Sequence, residues 1–238
     1  MRARSLVLLV IAVLCVLCPE TALAAERMNV IDYYNMSRTA EHQKIRQVNG
    51  VWHVLANSLV PLKVADIANG YLEFEDHGYN DGQGTETVTV ALFLTKERQP
   101  ILAVLDAGWM PDATCPNRSY TFNLFRLEKE SMYEADDAMP SLPVSLFLKK
   151  GFVPKKSDIY EIPGRLLIRI GYRLPQKGTT MEAFLDTADL SCSIAVNDAK
   201  TSEKERDDAR EFLKNVQKEP LKLKWNKAAG KFSLQADQ

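Results

Sequence analysis

Residues 164–186 read Gly-Arg-Leu-Leu-Ile-Arg-Ile-Gly-Tyr-Arg-Leu, then Pro-Gln-Lys-Gly, then Thr-Thr-Met-Glu-Ala-Phe-Leu-Asp. Two runs of alternating character flank a turn, which is typical of a β-hairpin. With the Pro-Gln-Lys-Gly segment as the loop, Tyr172 faces Met181. Two residues earlier Ile170 then faces Ala183, and the apolar partners share one side. The stretch therefore predicts an antiparallel sheet.

The other side of this hairpin carries Arg165, Arg169 and Arg173. One interpretation of this arginine row is an anion-binding stripe. The other is a solvated sheet face with one or two salt bridges, and Glu182 would reach Arg169 or Arg173 diagonally across the strands. Exposed charge on one face of an antiparallel sheet is the usual case, which favours the second interpretation.

Further strand patterns lie on the N-terminal side of this hairpin. Asn49-Gly50 stands between apolar residues and predicts a hairpin turn. Val88–Leu94 alternates, and Ile101–Leu105 follows as a continuous apolar run. Such a run predicts a strand that is covered on both faces and lies centrally in its sheet.

Trp109 follows this buried strand in a predicted loop, Gly108–Asn117. Together with Met110 it is the best candidate for an exposed apolar anchor at an interface. The alternative is a loop tryptophan that folds over the edge of the core.

A C-terminal helix is predicted from Ser202 to Lys218. Ser202-Glu-Lys-Glu205 is a capping box, and Pro220 ends the pattern. The apolar stripe of this helix consists of Ala209, Phe212, Leu213 and Val216. The expected fold class is α+β, predominantly antiparallel hairpins with a C-terminal amphipathic helix, in a single domain over residues 25–238. The alternative is an all-β sandwich with peripheral helices.

Residues 1–24 are predicted to be a secretory signal peptide. A basic start at Arg2 and Arg4 precedes the apolar run Leu6–Leu17, and Ala22-Leu-Ala24 is a small-residue cleavage site. The run is too short to span a bilayer, and no later run is long enough, so the mature chain is expected to have no transmembrane segment. The expected location is periplasmic or secreted.

The net charge bears on the kind of partner, and the cysteine content bears on disulfide formation. The 238 residues include 30 Lys and Arg against 31 Asp and Glu, so the formal net charge is −1. This near-neutral balance argues against a nucleic-acid partner. Outside the signal peptide only Cys115 and Cys192 remain, and a pair in an oxidising compartment predicts one disulfide, with two free buried thiols as the alternative.

The richest polar cluster runs from Glu73 to Asp81. One hypothesis makes His77 a general base oriented by Asp76 or Asp81. A second places Ca²⁺ on Asp76, Asn80 and Asp81, although the EF-hand pattern is absent. The third interpretation, which is favoured, is a solvated hairpin connection whose Asp and Asn residues serve the turn.

No motif in the sequence specifies a reaction. The three histidines, His42, His53 and His77, have no metal-ligand spacing, and neither a nucleophile elbow nor a phosphate-binding glycine loop is present. No cofactor is therefore expected.

Several short segments together resemble a family of exported bacterial proteins of unknown function. The segments are Asp66-Ile-Ala-Asn-Gly-Tyr-Leu-Glu73, Ala91-Leu-Phe93, Phe125-Arg-Leu127, Gly178-Thr-Thr180, Leu223-Lys-Trp225 and Gly230-Lys-Phe232. The resemblance implies a periplasmic bacterial protein and carries over no catalytic residue. The expected function is a non-catalytic module that binds a protein or small-molecule ligand. The alternatives are a periplasmic hydrolase with a site around His77 and a Ca²⁺-stabilised structural module.

Overall fold

A computed structural model describes most of the chain beyond the N-terminal segment. The described residues are 28–37, 39, 43–55, 59–76, 84–110, 115, 117–154, 161–162, 165–166, 168–195 and 202–235. Three sheets of three, six and four strands, together with a two-stranded hairpin, account for the strands, and every strand pairing is antiparallel. The predicted predominance of antiparallel sheet, with helices as the minor component, is confirmed.

The N-terminal part is a short helix followed by a three-stranded sheet. Helix α1 begins after a capping box at Asn29, whose side-chain oxygen accepts from the Ile31 amide at 2.8 Å. The predicted turn at Asn49-Gly50 is present, and both residues have positive φ, which the short hairpin loop requires. The elements are α1 (Val30–Met36), β1 (Lys44–Val48), β2 (Val51–Leu55) and β3 (Leu59–Pro61).

The largest sheet is a six-stranded meander in which each strand pairs with the next one along the chain. Its strands are β4 (Val64–Asp66), β5 (Tyr71–Asp76), β6 (Thr85–Leu94), β7 (Pro100–Met110), β8 (Asn117–Glu128) and β9 (Ser131–Glu134). The apolar run Ile101–Leu105 is buried throughout and lies in β7 between two long neighbours, so the prediction of a central, doubly covered strand is confirmed.

The C-terminal part contains the remaining strands and two helices. The strands are β10 (Glu161–Ile162), β11 (Arg165–Leu166), β12 (Arg169–Arg173), β13 (Thr180–Asp186), β14 (Leu221–Asn226) and β15 (Lys231–Leu234). The helices are α2 (Ala188–Ala195) and α3 (Glu203–Asn215), and α3 begins after a capping box at Ser202. Short 3-10 turns occupy Ile67–Asn69, Asp136–Ala138 and Val144–Phe147.

The register predicted for the hairpin of β12 and β13 is wrong by two residues. Tyr172 faces Ala183 instead of Met181, and Ile170 faces Leu185. The reason lies outside the hairpin, because β14 also pairs with the start of β13, and the Trp225 amide donates to the Thr179 carbonyl at 2.8 Å. An even shift keeps each side chain on its predicted face.

Three apolar clusters hold these layers together. One lies between the six-stranded sheet and the four-stranded sheet β12–β15, and the second lies on the opposite face of the six-stranded sheet under α1 and β1–β3. The third packs α2 and α3 around the buried Phe212. Trp225 joins the two larger sheets, since its indole Nε1 donates to the Leu94 carbonyl at 2.9 Å and its ring contacts Phe93.

None of the helices in the described part of the chain combines the length and the apolar character needed to cross a membrane.

Candidate functional site

Side-chain exposure increases along β7 towards its C-terminal end. Ile101–Leu105 is buried, Ala107 is half-buried and Trp109 is 42% exposed. Alternate residues of a strand point to one face, so Trp109 points to the face that the four-stranded sheet covers further back. Among the described residues, the four-stranded sheet therefore stops short of Trp109, and this end of the face is exposed to solvent.

Trp109 lies in a regular strand and not in the predicted loop Gly108–Asn117. β7 continues to Met110, because β8 supplies ladder partners up to the pair of Met110 with Asn117. The sequence pattern missed this extension because glycine, proline and cysteine crowd the segment, whereas the partner strand decides the pairing. Trp109 and Met110 are 42% and 40% exposed, and their role as an apolar anchor at an interface stays a prediction.

The neighbours of Trp109 on this face come from β6 and β8. Thr85 and Arg118 lie directly opposite Trp109, and Thr87 and Tyr120 belong to the next row. Residues that are directly opposite each other share a face of the sheet. These five side chains, Thr85, Thr87, Trp109, Arg118 and Tyr120, are named the Trp109 surface.

Asp186 anchors the Trp109 surface from the hairpin side. Tyr120 Oη donates to Asp186 Oδ2 at 2.8 Å, and Arg118 Nη1 lies 3.5 Å from the same oxygen. Asp186 Oδ1 accepts from the Ala188 amide at 2.9 Å, at the start of α2. One carboxylate thus connects β8, the end of β13 and α2.

The Tyr120 phenol acts as a hydrogen-bond donor. Burial, the hydrogen bond to Asp186 and the charge of Asp186 together raise the pKa of Tyr120 to about 12. The phenol is therefore protonated at neutral pH. Beside it, the Arg118 guanidinium keeps its charge at any ordinary pH. The Trp109 surface offers an indole, a cation and hydroxyl groups to a ligand.

We expect the free energy of unfolding to decrease as the pH rises from 10 towards 12. The pKa of Tyr120 in the folded state, about 12, lies above its ordinary value of 10.0, so the folded state binds more protons in this window. This contribution to stability is complete below pH 10 and is lost as the pH rises through 12. The pKa of Tyr71 is also about 12, owing first to burial and then to Glu73.

Melting temperatures measured from neutral to alkaline pH, together with the absorbance titration of tyrosine, check this expectation. The Tyr120→Phe variant should show a shallower alkaline decrease in melting temperature. A decrease as steep as in the unmodified protein would show that Tyr120 is not a source of it.

An aromatic contact connects the hairpin of β12 and β13 to Tyr120. The Phe184 ring lies over Gly171, where a Cβ atom would come within 2.4 Å of the ring, so only glycine permits this approach. The edge of one ring meets the face of the other between Tyr120 and Phe184, with centroids 6.0 Å apart. The Arg173 guanidinium lies 4.6 Å from the Phe184 centroid.

The structure separates the predicted arginine row. Arg169 Nη1 lies 2.5 Å from Asp189 Oδ2, and the two side chains are only 18% and 2% exposed. Arg173 is exposed and pairs with Glu182 at 3.0 Å, directly across the strands. Arg165 lies in β11, and its side chain is outside the described part. The two described arginines face carboxylates, which fits a salt-bridged face better than an anion-binding stripe.

The predicted disulfide is confirmed. Cys115, just before β8, is bonded to Cys192 in α2, with Cα atoms 5.8 Å apart. The bond therefore joins α2 to the same end of β8 that carries Arg118 and Tyr120.

The hypotheses on the Glu73–Asp81 cluster are not tested by this geometry. His77, Asn80 and Asp81 lie outside the described residues, and only the backbone of Asp76 is described, at the end of β5. The hydrolase and Ca²⁺ hypotheses stay predictions. Among the residues that the structure does describe, no three His, Cys, Asp or Glu side chains are placed to hold a metal ion.

The contacts that support Trp109 could not be predicted from the sequence. Asp186 is 66 positions from Tyr120 and 68 from Arg118 in the chain. No local pattern connects residues at such distances. The one available signal was the polar Asp186 at the end of an alternating strand, which has no distinctive spacing.

Comparisons with known proteins add little. No protein-family model matches the chain, and no curated protein matches it. A solved structure, a domain of an uncharacterized protein from Porphyromonas gingivalis W83, is similar at a TM-score of 0.43 and 12% identity, over 82% of this chain and 80% of that chain. At these values the similarity carries no information about function.

Proposed function

We propose that the protein is an exported, non-catalytic binding protein whose ligand surface is the Trp109 surface. The observation that carries the proposal is Trp109 itself, a tryptophan that is 42% exposed on a regular, paired strand with an arginine directly opposite. The ligand class that fits is a protein segment with an apolar side chain next to a carboxylate.

The chemistry of Trp109 and Arg118 supports binding. Tryptophan and arginine are the side chains most enriched among the residues that dominate binding energy at protein interfaces. An indole supplies a large apolar area at a small entropic cost. The Arg118 guanidinium is 44% exposed and contacts Asp186 through Nη1 at 3.5 Å, so its other N–H donors can reach a ligand carboxylate. Thr85 adds a hydroxyl group on the same row.

The surface is held in place before any ligand arrives. Trp109 lies in the ladder between β6 and β8, and the Tyr120–Asp186 hydrogen bond together with the disulfide at Cys115 fixes the adjoining end of β8. Preorganised side chains lose less conformational entropy on binding than mobile ones. This arrangement supports recognition of a partner by a rigid face.

Export to the periplasm is part of the proposal. The basic and apolar pattern of residues 1–24 supports it, and so does the disulfide between Cys115 and Cys192, because such bonds persist in oxidising compartments. The resemblance to exported bacterial proteins of unknown function points the same way.

Site-specific photo-crosslinking in the producing cells tests the proposed surface. A photoreactive amino acid at position 85, directly opposite Trp109, should give a discrete protein adduct that Arg118→Glu abolishes. The matched control is the same label at Tyr133, which is more exposed, at 54%, and lies on the edge strand β9. Equal adducts at both positions, or adducts indifferent to Arg118→Glu, would refute the proposal.

Trp109→Ala checks that the surface is not part of the core. Because Trp109 is 42% exposed, the variant should lose the partner while its free energy of unfolding falls by about 1–2 kcal/mol, less than the truncation of a fully buried aromatic residue costs. Urea denaturation measures this. A loss of about 3–5 kcal/mol, the range of buried aromatic truncations, would assign Trp109 to packing instead.

A further inference from the structure

The outer face of the sheet β1–β3 carries two apolar pairs, one on each side of a row that contains Arg46 and His53. The inner face is occupied by Ile45 and Val54, which are buried against the six-stranded sheet. Strand alternation therefore directs the intervening side chains outwards. The apolar members of this outer face are Val48, Val51, Leu55, Leu59 and Pro61, brought together by the pairings of Val48 with Val51 and Leu55 with Leu59.

These side chains are open to solvent to an unusual degree. Val51 is 50% exposed and Leu59 is 54% exposed. The solvent face of an antiparallel sheet normally carries polar residues, so that apolar and polar positions alternate along each strand. Exposed aliphatic side chains at both ends of this face therefore indicate a surface that something covers.

The charges around this face have one sign. Lys44 and Arg46 point to the same side as the apolar residues, and the Lys44 ammonium also donates to the Asn35 carbonyl. Over the stretch Gln43–Lys63 the chain contains no aspartate or glutamate, although it has 31 of them in total. Basic side chains interleaved with exposed aliphatic ones are complementary to a negatively charged layer over a hydrocarbon interior.

We propose that the outer face of β1–β3 docks on the surface of an anionic lipid bilayer. Peripheral binding of this kind combines burial of apolar side chains at the lipid boundary with attraction of basic residues to anionic headgroups. The apolar residues are aliphatic. Valine and leucine are under-represented among the residues that dominate protein interfaces, which favours lipid over a protein partner.

This face and the Trp109 surface lie on opposite sides of the six-stranded sheet. β1–β3 pack on the side that carries Phe74 and Val88, whereas Trp109 points to the side that carries Leu105. A bilayer on one side would leave the Trp109 surface accessible on the other. The lipid proposal does not depend on the function proposed for Trp109.

Vesicle sedimentation of the protein, purified after expression of the full chain, tests the proposal. The protein should sediment with vesicles of phosphatidylglycerol and phosphatidylcholine and stay in solution with phosphatidylcholine alone. Leu59→Ser should weaken binding by about tenfold, and Arg46→Glu by about fivefold or more. Higher ionic strength should weaken binding as well.

Matched controls distinguish the face from general surface effects. Val153→Ser removes an apolar side chain that is 78% exposed elsewhere, and Lys224→Glu reverses an exposed charge on β14. Both should bind as the unmodified protein does. Leu59 and Arg46 are exposed, and melting curves verify that their variants are folded; if Leu59→Ser is not, Val51→Ser replaces it.

Three outcomes would overturn the proposal. The first is no sedimentation with anionic vesicles, and the second is equal binding by the face variants and the controls. The third is a dimer in solution that Leu59→Ser dissociates, which would assign the face to a second copy of the chain.

Discussion

In the Cys115→Ser/Cys192→Ser double variant we expect the free energy of unfolding to fall by about 4 kcal/mol. The bond joins residues 77 positions apart, and its removal returns the entropy of that long loop to the unfolded chain. Urea denaturation of the variant and of the unmodified protein, both under non-reducing conditions, measures the difference.

Reduction provides the matched control for this prediction. A reductant should bring the unmodified protein close to the stability of the double variant and leave the variant itself unchanged. Cys115 is only 4% exposed whereas Cys192 is half-buried, so we expect a reductant to attack the disulfide at the Cys192 sulfur. A difference in stability below about 1 kcal/mol would contradict the expected loop effect.

In the Arg169→Met variant we expect a loss of about 3–5 kcal/mol, the range for removing one partner of a buried ion pair. The substitution removes the positive charge 2.5 Å from the Asp189 carboxylate, which is 2% exposed. A buried carboxylate without that charge is unfavourable by its desolvation. Methionine retains most of the side-chain volume, so packing changes little.

The Arg169→Met/Asp189→Leu double variant distinguishes the effect of the unpaired buried charge from other effects of substitution at this position. Replacing both partners removes the uncompensated carboxylate and should restore most of the stability. Arg210→Met is the surface control, because its pair with Asp207 is exposed on both sides, and it should cost less than about 1 kcal/mol. Equal losses for Arg169→Met and Arg210→Met would show that burial does not matter at this pair.

Much of the sheet architecture follows from local sequence. The Asn49-Gly50 turn has the residues that positive φ demands, and the run Ile101–Leu105 has no polar residue to place towards water. These features depend on a few neighbouring residues, whose steric and hydrophobic contributions to the free energy of folding are large. They were therefore predictable without knowledge of the rest of the chain.

The register of the hairpin of β12 and β13 was not predictable in the same way. Its loop is longer than the Pro-Gln-Lys-Gly segment, since the Thr179 carbonyl bonds to Trp225. That partner is 46 positions away in the chain. Both registers put the same residues on the same faces, so the apolar pattern could not distinguish them.

Some features of the candidate site could likewise be predicted from the sequence, and others could not. Trp109 could be selected from sequence, because a tryptophan next to the end of a buried strand and close to Pro111 stands out locally. Its orientation and its neighbours could not, since Arg118 and Thr85 reach it only through the strand ladder.

Local sequence patterns are sufficient for the antiparallel class and the central buried strand. They also restrict a disulfide outside the N-terminal segment to Cys115 and Cys192, but that the bond forms is seen only in the structure. Tertiary structure alone decided that Tyr120 meets Asp186, that Arg169 is buried against Asp189, and that the outer face of β1–β3 stays uncovered by the described chain. The physical reason is the separation along the chain of the residues that interact. Alternation and turn geometry act between neighbours, whereas these contacts depend on how separately formed sheets pack against each other.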